Sequence, residues 1–287
     1  MAALPGRGTG WATLSAMTDR VTVTVEDGVA DVRLVRAEKM NAIDNAMFEA
    51  LVNTGEELKA RADIRAIVLS GEGRAFCAGL DMGSFQQMAS GERRGGERSL
   101  DELAAGRTSA GANRAQQACY VWRELPVPVI AAVHGVAFGG GFQLALGADI
   151  RIVAPDAQLA VLEIKWGLVP DMSGIVLMRG LIRDDLAREL TWTGRIFSGE
   201  EAVQMGLASH VSTDPRKDAL TLAHEIASKN PHAIRAGKRL LNLAQSDAEI
   251  GDIFLEETRE QVALIGSSNQ VEAVMANLEK RQPAFAD

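Results

Sequence analysis

Two glycine-containing turns and one acid set in an apolar run are the places in this 287-residue sequence where chemistry could sit. The first turn runs Ser70-Gly71-Glu72-Gly73-Arg74-Ala75-Phe76-Cys77-Ala78-Gly79-Leu80-Asp81, the second His134-Gly135-Val136-Ala137-Phe138-Gly139-Gly140-Gly141. Each follows an apolar strand pattern, and glycine there lets bare backbone N–H groups approach a ligand. A helix opening near Gly140 would add unpaired N–H donors and the partial positive charge of a helix N-terminus, which suits a developing oxyanion. The alternative is that these glycines only make tight strand-to-helix turns. Neither turn fits GxGxxG with an acid on a following strand, and no Walker lysine is present.

Glu163 follows Ala160-Val161-Leu162 and precedes Ile164, so a carboxylate interrupts an apolar run at the end of a strand. A buried Glu is costly unless paired or functional, and desolvation raises its pKa toward the working range of a base. Eight residues on stands Asp171, which either joins that chemistry or caps a segment starting at Ser173. Gln143, just past the second turn, cannot exchange a proton at neutral pH. It either orients a ligand by hydrogen bonding or satisfies a buried polar site. The four histidines have no metal-like spacing with each other or with cysteine, Cys77 has no obvious base partner, and no metal site is expected.

The elements that must position these residues alternate along the chain. Val21, Val23 and Val25, the turn Glu26-Asp27-Gly28, then Val29, Val32 and Leu34 make a hairpin pattern. Asp44 precedes a helical stretch with Met47, Ala50, Leu51 and Leu58 on one face. Residues 64–69 and 127–133 read as strands, 139–146 as a short apolar helix and 150–153 as another strand, so the fold class is α/β. Residues 84–115 are too polar and glycine-rich for a core and read as a mobile excursion. Ser198 with Glu201 forms a capping-box pattern, after which helical periodicity extends to Arg281, with Pro231 starting a new helix.

Thirty Lys plus Arg against 38 Asp plus Glu gives a net charge of −8, which argues against a phosphate-backbone binder, so no nucleic-acid partner is expected. No run reaches the roughly 18 apolar residues of a membrane span. Two cysteines, Cys77 and Cys119, fit a reducing, cytoplasmic setting, while the Arg7-containing leader leaves organellar targeting open. Residues 1–17 read as a disordered leader, with Met17 an alternative start.

Three separated motifs carry a resemblance: FCAGLDM at 76–82, PVIAAVHGVAFGGGFQLALGADIRIVAPDAQLAVLEIKWGLVP at 128–170, and LEKRQPAF at 278–285. From about residue 20 to the C-terminus the chain resembles the crotonase superfamily of enoyl-CoA hydratases and isomerases. The resemblance implies an α/β crotonase-like spiral of repeated ββα units over 18–210 and a helical trimerisation region over 211–287. It implies an acyl-CoA thioester as substrate, coenzyme A entering only as part of that substrate with no other cofactor, and a homotrimer or dimer of trimers. By the same resemblance the oxyanion donors are the N–H groups of Leu80 and Gly140. The coenzyme A contacts fall on Arg36, Lys39, Met40 and Ala42, on Ala75, Ala78, Gly79 and Asp81, and on Lys280, often supplied by a neighbouring subunit. Ala37 stands where the family usually has proline.

The carboxylates depart from the family pattern. Hydratases of this kind place one Glu at the position of Gln143 and a second at Glu163, so the two-carboxylate arrangement for adding water is incomplete here. Dienoyl-CoA isomerases of the family carry a second acid eight residues beyond the conserved Glu, which Asp171 matches, although they usually keep an acid at position 143. The favoured expectation is double-bond isomerisation of an enoyl- or dienoyl-CoA, with Glu163, Asp171 and Gln143 as catalytic candidates. The alternatives are hydration with one carboxylate, or a non-catalytic acyl-CoA-binding or scaffold protein.

Overall fold

Asp27 and Gly28 both take positive φ, 47° and 78°, the conformation a two-residue hairpin turn requires. The turn joins β2 (Val21–Glu26) to β3 (Val29–Leu34), paired antiparallel with Val25 opposite Ala30. These positions come from a computed structural model that describes residues 12–13, 19–90 and 107–287. The expected leader lies outside the described residues except for β1 (Ala12–Thr13), which pairs antiparallel with β2. Most of the polar excursion, 91–106, also lies outside them; its flanks form helices Met82–Ala89 and Arg114–Glu124.

From β3 onward the main sheet is parallel. It continues through β4 (Ala66–Gly71), β5 (Val129–Val133), β7 (Ile150–Val153) and β10 (His210–Val211), in the order β1-β2-β3-β4-β5-β7-β10. Parallel neighbours need crossovers, and the one from β3 to β4 is helix Asn45–Lys59. Asp44 caps it by accepting from the Met47 N–H, and Met47, Ala50, Leu51 and Leu58 are its buried face, as their spacing predicts. The strand expected from residue 127 begins at Val129, since prolines at 126 and 128 offer no N–H to a ladder.

The second strand of the ββα unit, which residue patterning does not mark, builds a second sheet. It contains β6 (Val136–Phe138), β8 (Gln158–Ala160) and β9 (Phe197–Ser198), with β6 and β8 parallel. Two successive turns of the chain thus lay one strand in the main sheet, one in the second, then a helix: β5, β6 and helix Gly140–Leu146, followed by β7, β8 and helix Gly174–Met178. This is the spiral of ββα units.

The main core fills the space between the sheets and their helices, with Phe76, Trp122, Phe142 and Phe197 buried and Phe142 edge-on to Phe197 at 5.7 Å. On the other face of the main sheet, helix Pro215–Ala227 packs Ala219, Ala223 and Ala227 against Val29, Val68 and Ile130. Ser198 caps helix Gly199–Met205 through a capping box with Glu201, and Pro231 is the first residue of helix Pro231–Ala244. Helices Ile250–Leu264 and Ser268–Glu279 complete the chain.

Candidate active site

The spiral brings the two glycine turns side by side. Cys77 bridges Ala137 and Leu80 bridges Ile43, both parallel. At Gly79, φ is +86° and a Cβ would lie 2.5 Å from the Phe138 carbonyl oxygen and 3.6 Å from the Gly140 nitrogen, so only glycine lets the turns meet. The Leu80 bridge uses the Gly79 carbonyl, which accepts from Ile43, and the Asp81 N–H, which donates to Ile43. The Leu80 N–H takes part in neither bond. Gly140 opens its helix, and a first helical residue has no carbonyl one turn earlier to receive its N–H. Two uncommitted donors on adjacent turns are what an anionic oxygen needs.

The acid expected to act as a base is buried beside them. Glu163 is 9% exposed, and a Cβ at Gly139 would come within 3.2 Å of its Oε1. Gln143 Nε2 donates to that Oε1 at 2.6 Å, while Glu163 Oε2 is buried without a hydrogen-bond partner. Burial raises the Glu163 pKa and the charge of Asp171 adds to the rise, against the opposing hydrogen bonds of its own backbone and of Gln143. One oxygen is therefore clamped, and the other is free to accept a proton.

Gln143 does more than fill a polar site. Its Oε1 accepts from the N–H groups of Met172 and Gly174, both at 2.9 Å, so one buried amide joins Glu163 to the turn carrying Asp171. A Cβ at Gly174 would sit 2.7 Å from Gln143 Cγ, which explains that glycine. Asp171 is on the exposed side of this turn, yet crowding of its carboxyl by surrounding atoms raises its pKa. The N-cap of helix Gly174–Met178 is Ser173, at φ +71°, whose hydroxyl donates to the Gln116 carbonyl. Cys77 is buried and its thiol is pushed up to about 12 by desolvation, as suits a packing residue rather than a nucleophile.

The segment expected to face coenzyme A folds against the first turn. Met40 and Asn41 take positive φ, Ala78 N–H donates to the Met40 carbonyl, and the Ala42 carbonyl accepts from Arg36. Ala42, Ala75 and Gly79 are buried, and Ala78 is half-buried. Arg36 turns inward to Asp81 and Asp44, whereas Lys39 is exposed. Lys280 is exposed at the end of the last helix, and no hydrogen bond or ion pair joins it to this cluster. Asn41 was not singled out by its sequence position, yet its Nδ2 donates to the carbonyls of Glu72, Ala75 and Phe76. A buried Asn next to a left-handed Met is its only local signal.

Among the described residues, no three His, Cys, Asp or Glu cluster as a metal site and no helix is long and apolar enough to cross a membrane. The profile of a family described as enoyl-CoA hydratase/isomerase matches residues 24–287. A Bacillus subtilis (strain 168) protein named "Probable enoyl-CoA hydratase" is 32% identical over 268 residues, covering 92% of this chain and 98% of its own. The peroxisomal Delta(3,5)-Delta(2,4)-dienoyl-CoA isomerase of Arabidopsis thaliana is 30% identical over 263 residues, covering 88% of this chain and 90% of its own. A crystal structure of an enoyl-CoA hydratase from Polaromonas sp. JS666 is similar with a TM-score of 0.81 and 28% identity, covering 93% of this chain and 100% of that one.

Proposed function

The chain belongs to the enoyl-CoA hydratase/isomerase family, and from that premise we propose that it isomerises the double bond of an enoyl- or dienoyl-CoA. The observation that carries the proposal is the asymmetry of Glu163, one oxygen held by Gln143 and the other buried without a partner. Oε2 takes a proton from the carbon beside the conjugated system. The C–H electrons flow into a (di)enolate whose oxygen is held by the Leu80 and Gly140 N–H groups, and Glu163 or Asp171 returns a proton to a different carbon. The reaction moves protons and no net electrons, so it calls for no cofactor beyond the coenzyme A of the substrate.

Hydration is the second reading, favoured by the Bacillus subtilis relative's name. It must run with Glu163 as the only carboxylate at the double bond, because the Gln143 oxygen is committed to two peptide N–H groups. The assembly we propose is a trimer or dimer of trimers. In its support, helix Ile250–Leu264 has no buried residue and exposes Ile250, Phe254 and Val262, while Leu278 projects from the next helix.

Glu163→Gln tests the base. Turnover of 3-enoyl- and 3,5-dienoyl-CoA should fall by about 10²- to 10⁴-fold, the usual contribution of a positioned general base, with acyl-CoA affinity within several-fold of the parent. Turnover surviving within about tenfold would remove Glu163 from that role.

A further inference from the structure

We propose that Arg36 is a positioning residue, holding the Leu80 N–H on the thioester oxygen through Asp81 rather than gripping the nucleotide. The inference rests on reading Leu80 and Gly140 as the oxyanion donors.

Arg36 is largely buried, with a side-chain exposure of 13%. Its Nη1 donates to Asp81 Oδ2 at 2.7 Å and to the Ala42 carbonyl at 2.9 Å, and its Nη2 lies 3.6 Å from Asp44 Oδ2. A guanidinium already surrounded by Asp81, Asp44 and, at 4.0 Å, Glu38 gains little from a phosphate, which would have to displace one of them. Lys39, exposed and outside every ion pair among the described residues, is the base in this segment that a phosphate can reach.

Asp81 is fixed at three points, and it directly follows Leu80. Its N–H donates to the Ile43 carbonyl at 3.0 Å, its Oδ1 accepts from Gly83 at 2.8 Å, and its Oδ2 takes Arg36. On the other side of Leu80, the Gly79 carbonyl accepts from the Ile43 N–H at 2.7 Å. The Leu80 peptide is thus strung between two anchors, and its direction depends on both. Without the Arg36 cation, Asp81 Oδ2 loses its anchor, and Asp44, whose like charge works against the ionisation of Asp81, is countered by Arg20 alone. With that anchor gone, Asp81 and the Leu80 peptide before it are freed to shift. A shift of this kind costs oxyanion stabilisation before it costs affinity, because hydrogen-bond donors to a developing charge are steeply geometry-dependent.

The test uses the full chain and 4-dimethylaminocinnamoyl-CoA, a push-pull chromophore whose absorption moves to longer wavelength when its thioester carbonyl is polarised. The parent should bind it with a red shift. Arg36→Met and Asp81→Asn should each lose at least about half of that shift and about tenfold or more in kcat, with the Kd for acyl-CoA changed by less than about threefold. Lys39→Ala should do the reverse, weakening affinity with the shift intact. Should Arg36→Met fail to fold, Asp81→Asn, which keeps an acceptor for Gly83, decides alone. A parent that binds without a red shift would sink the oxyanion reading itself. A parent that shifts, with variants that shift equally and bind about tenfold more weakly, would overturn the positioning role and make Arg36 a nucleotide contact.

Discussion

Gln143→Glu sets a second carboxylate against Glu163 at a separation now spanned by a 2.6 Å hydrogen bond. Two full charges that close would repel by about 6 kcal/mol even at an effective dielectric near 20. That is comparable with the whole stability of a typical domain, so the folded variant keeps one proton between the pair. The other oxygen of residue 143 can still accept from Met172 and Gly174, which preserves the turn. In the unfolded chain both carboxyls titrate at ordinary values, whereas in the folded variant one of them stays protonated well above its own. The folded state therefore binds more protons than the unfolded one across that window, and stability falls as pH rises through it, by at most about 1.4 kcal/mol per pH unit for one proton. Urea unfolding at a series of pH values, parent against variant, reads this slope. Near neutral pH the retained proton also supplies the missing acid, and loss of crotonyl-CoA enoyl absorbance should accelerate by about tenfold or more. A stability difference that does not change with pH would refute the contact between residues 143 and 163. A well-folded variant with no gain in hydration would show that the amide is not what withholds that reaction.

Two further perturbations probe other parts of the site. Asp171→Asn should cut 3,5-dienoyl-CoA isomerisation by about 10²-fold, the scale of one positioned acid, while sparing a 3-enoyl shift that a single base can perform. Burial is the main cause of the raised Glu163 pKa and the Asp171 charge adds to it, so the same change should move the acidic limb of the remaining kcat/KM profile modestly to lower pH; equal losses on both substrates would contradict the two-acid scheme. Gly141→Ala would place a Cβ 2.2 Å from the Cys77 carbonyl, itself fixed by accepting from Phe138, and should cost about 3 kcal/mol or more in urea unfolding. Gly237→Ala, mid-helix with nothing within 4 Å of the new methyl, should instead stabilise by about 0.5–1 kcal/mol.

What was legible in the sequence was whatever is encoded locally. The Asp27-Gly28 turn, the Asp44 cap, the Ser198–Glu201 box and the apolar face of helix Asn45–Lys59 are set by residues within a few positions of each other, and all form as their patterns require. The strands of the second sheet were implied by the family resemblance but not by patterning, because strands of two or three residues, such as Val136–Phe138 and Phe197–Ser198, are too short to show a period and exist only through pairing with distant segments. The inward turn of Arg36 was hidden for a similar reason: its partner Asp81 lies 45 positions away. The unusual Glu163 was visible as an acid in an apolar run, but its asymmetry was not, since that depends on which of its oxygens Gln143 reaches.

The amide at position 143 is better understood from its three bonds than from the carboxylate it replaces. A side chain there must accept from the N–H groups of Met172 and Gly174 and also face Glu163 Oε1. An ionised Glu could satisfy the two peptides but would repel the base, whereas Gln accepts with one end and donates with the other, meeting all three demands at any ordinary pH. The consequence is a Glu163 that shares no proton with residue 143. On the proposed reading Glu163 Oε2 is the proton acceptor beside the two glycine turns, and Asp171, on the turn that the same amide secures, is the second acid proposed to act with it. If both acids act, substrates whose proton must leave one carbon and return to a distant one are their natural match, and this is what the contrast between 3,5-dienoyl- and 3-enoyl-CoA in Asp171→Asn tests.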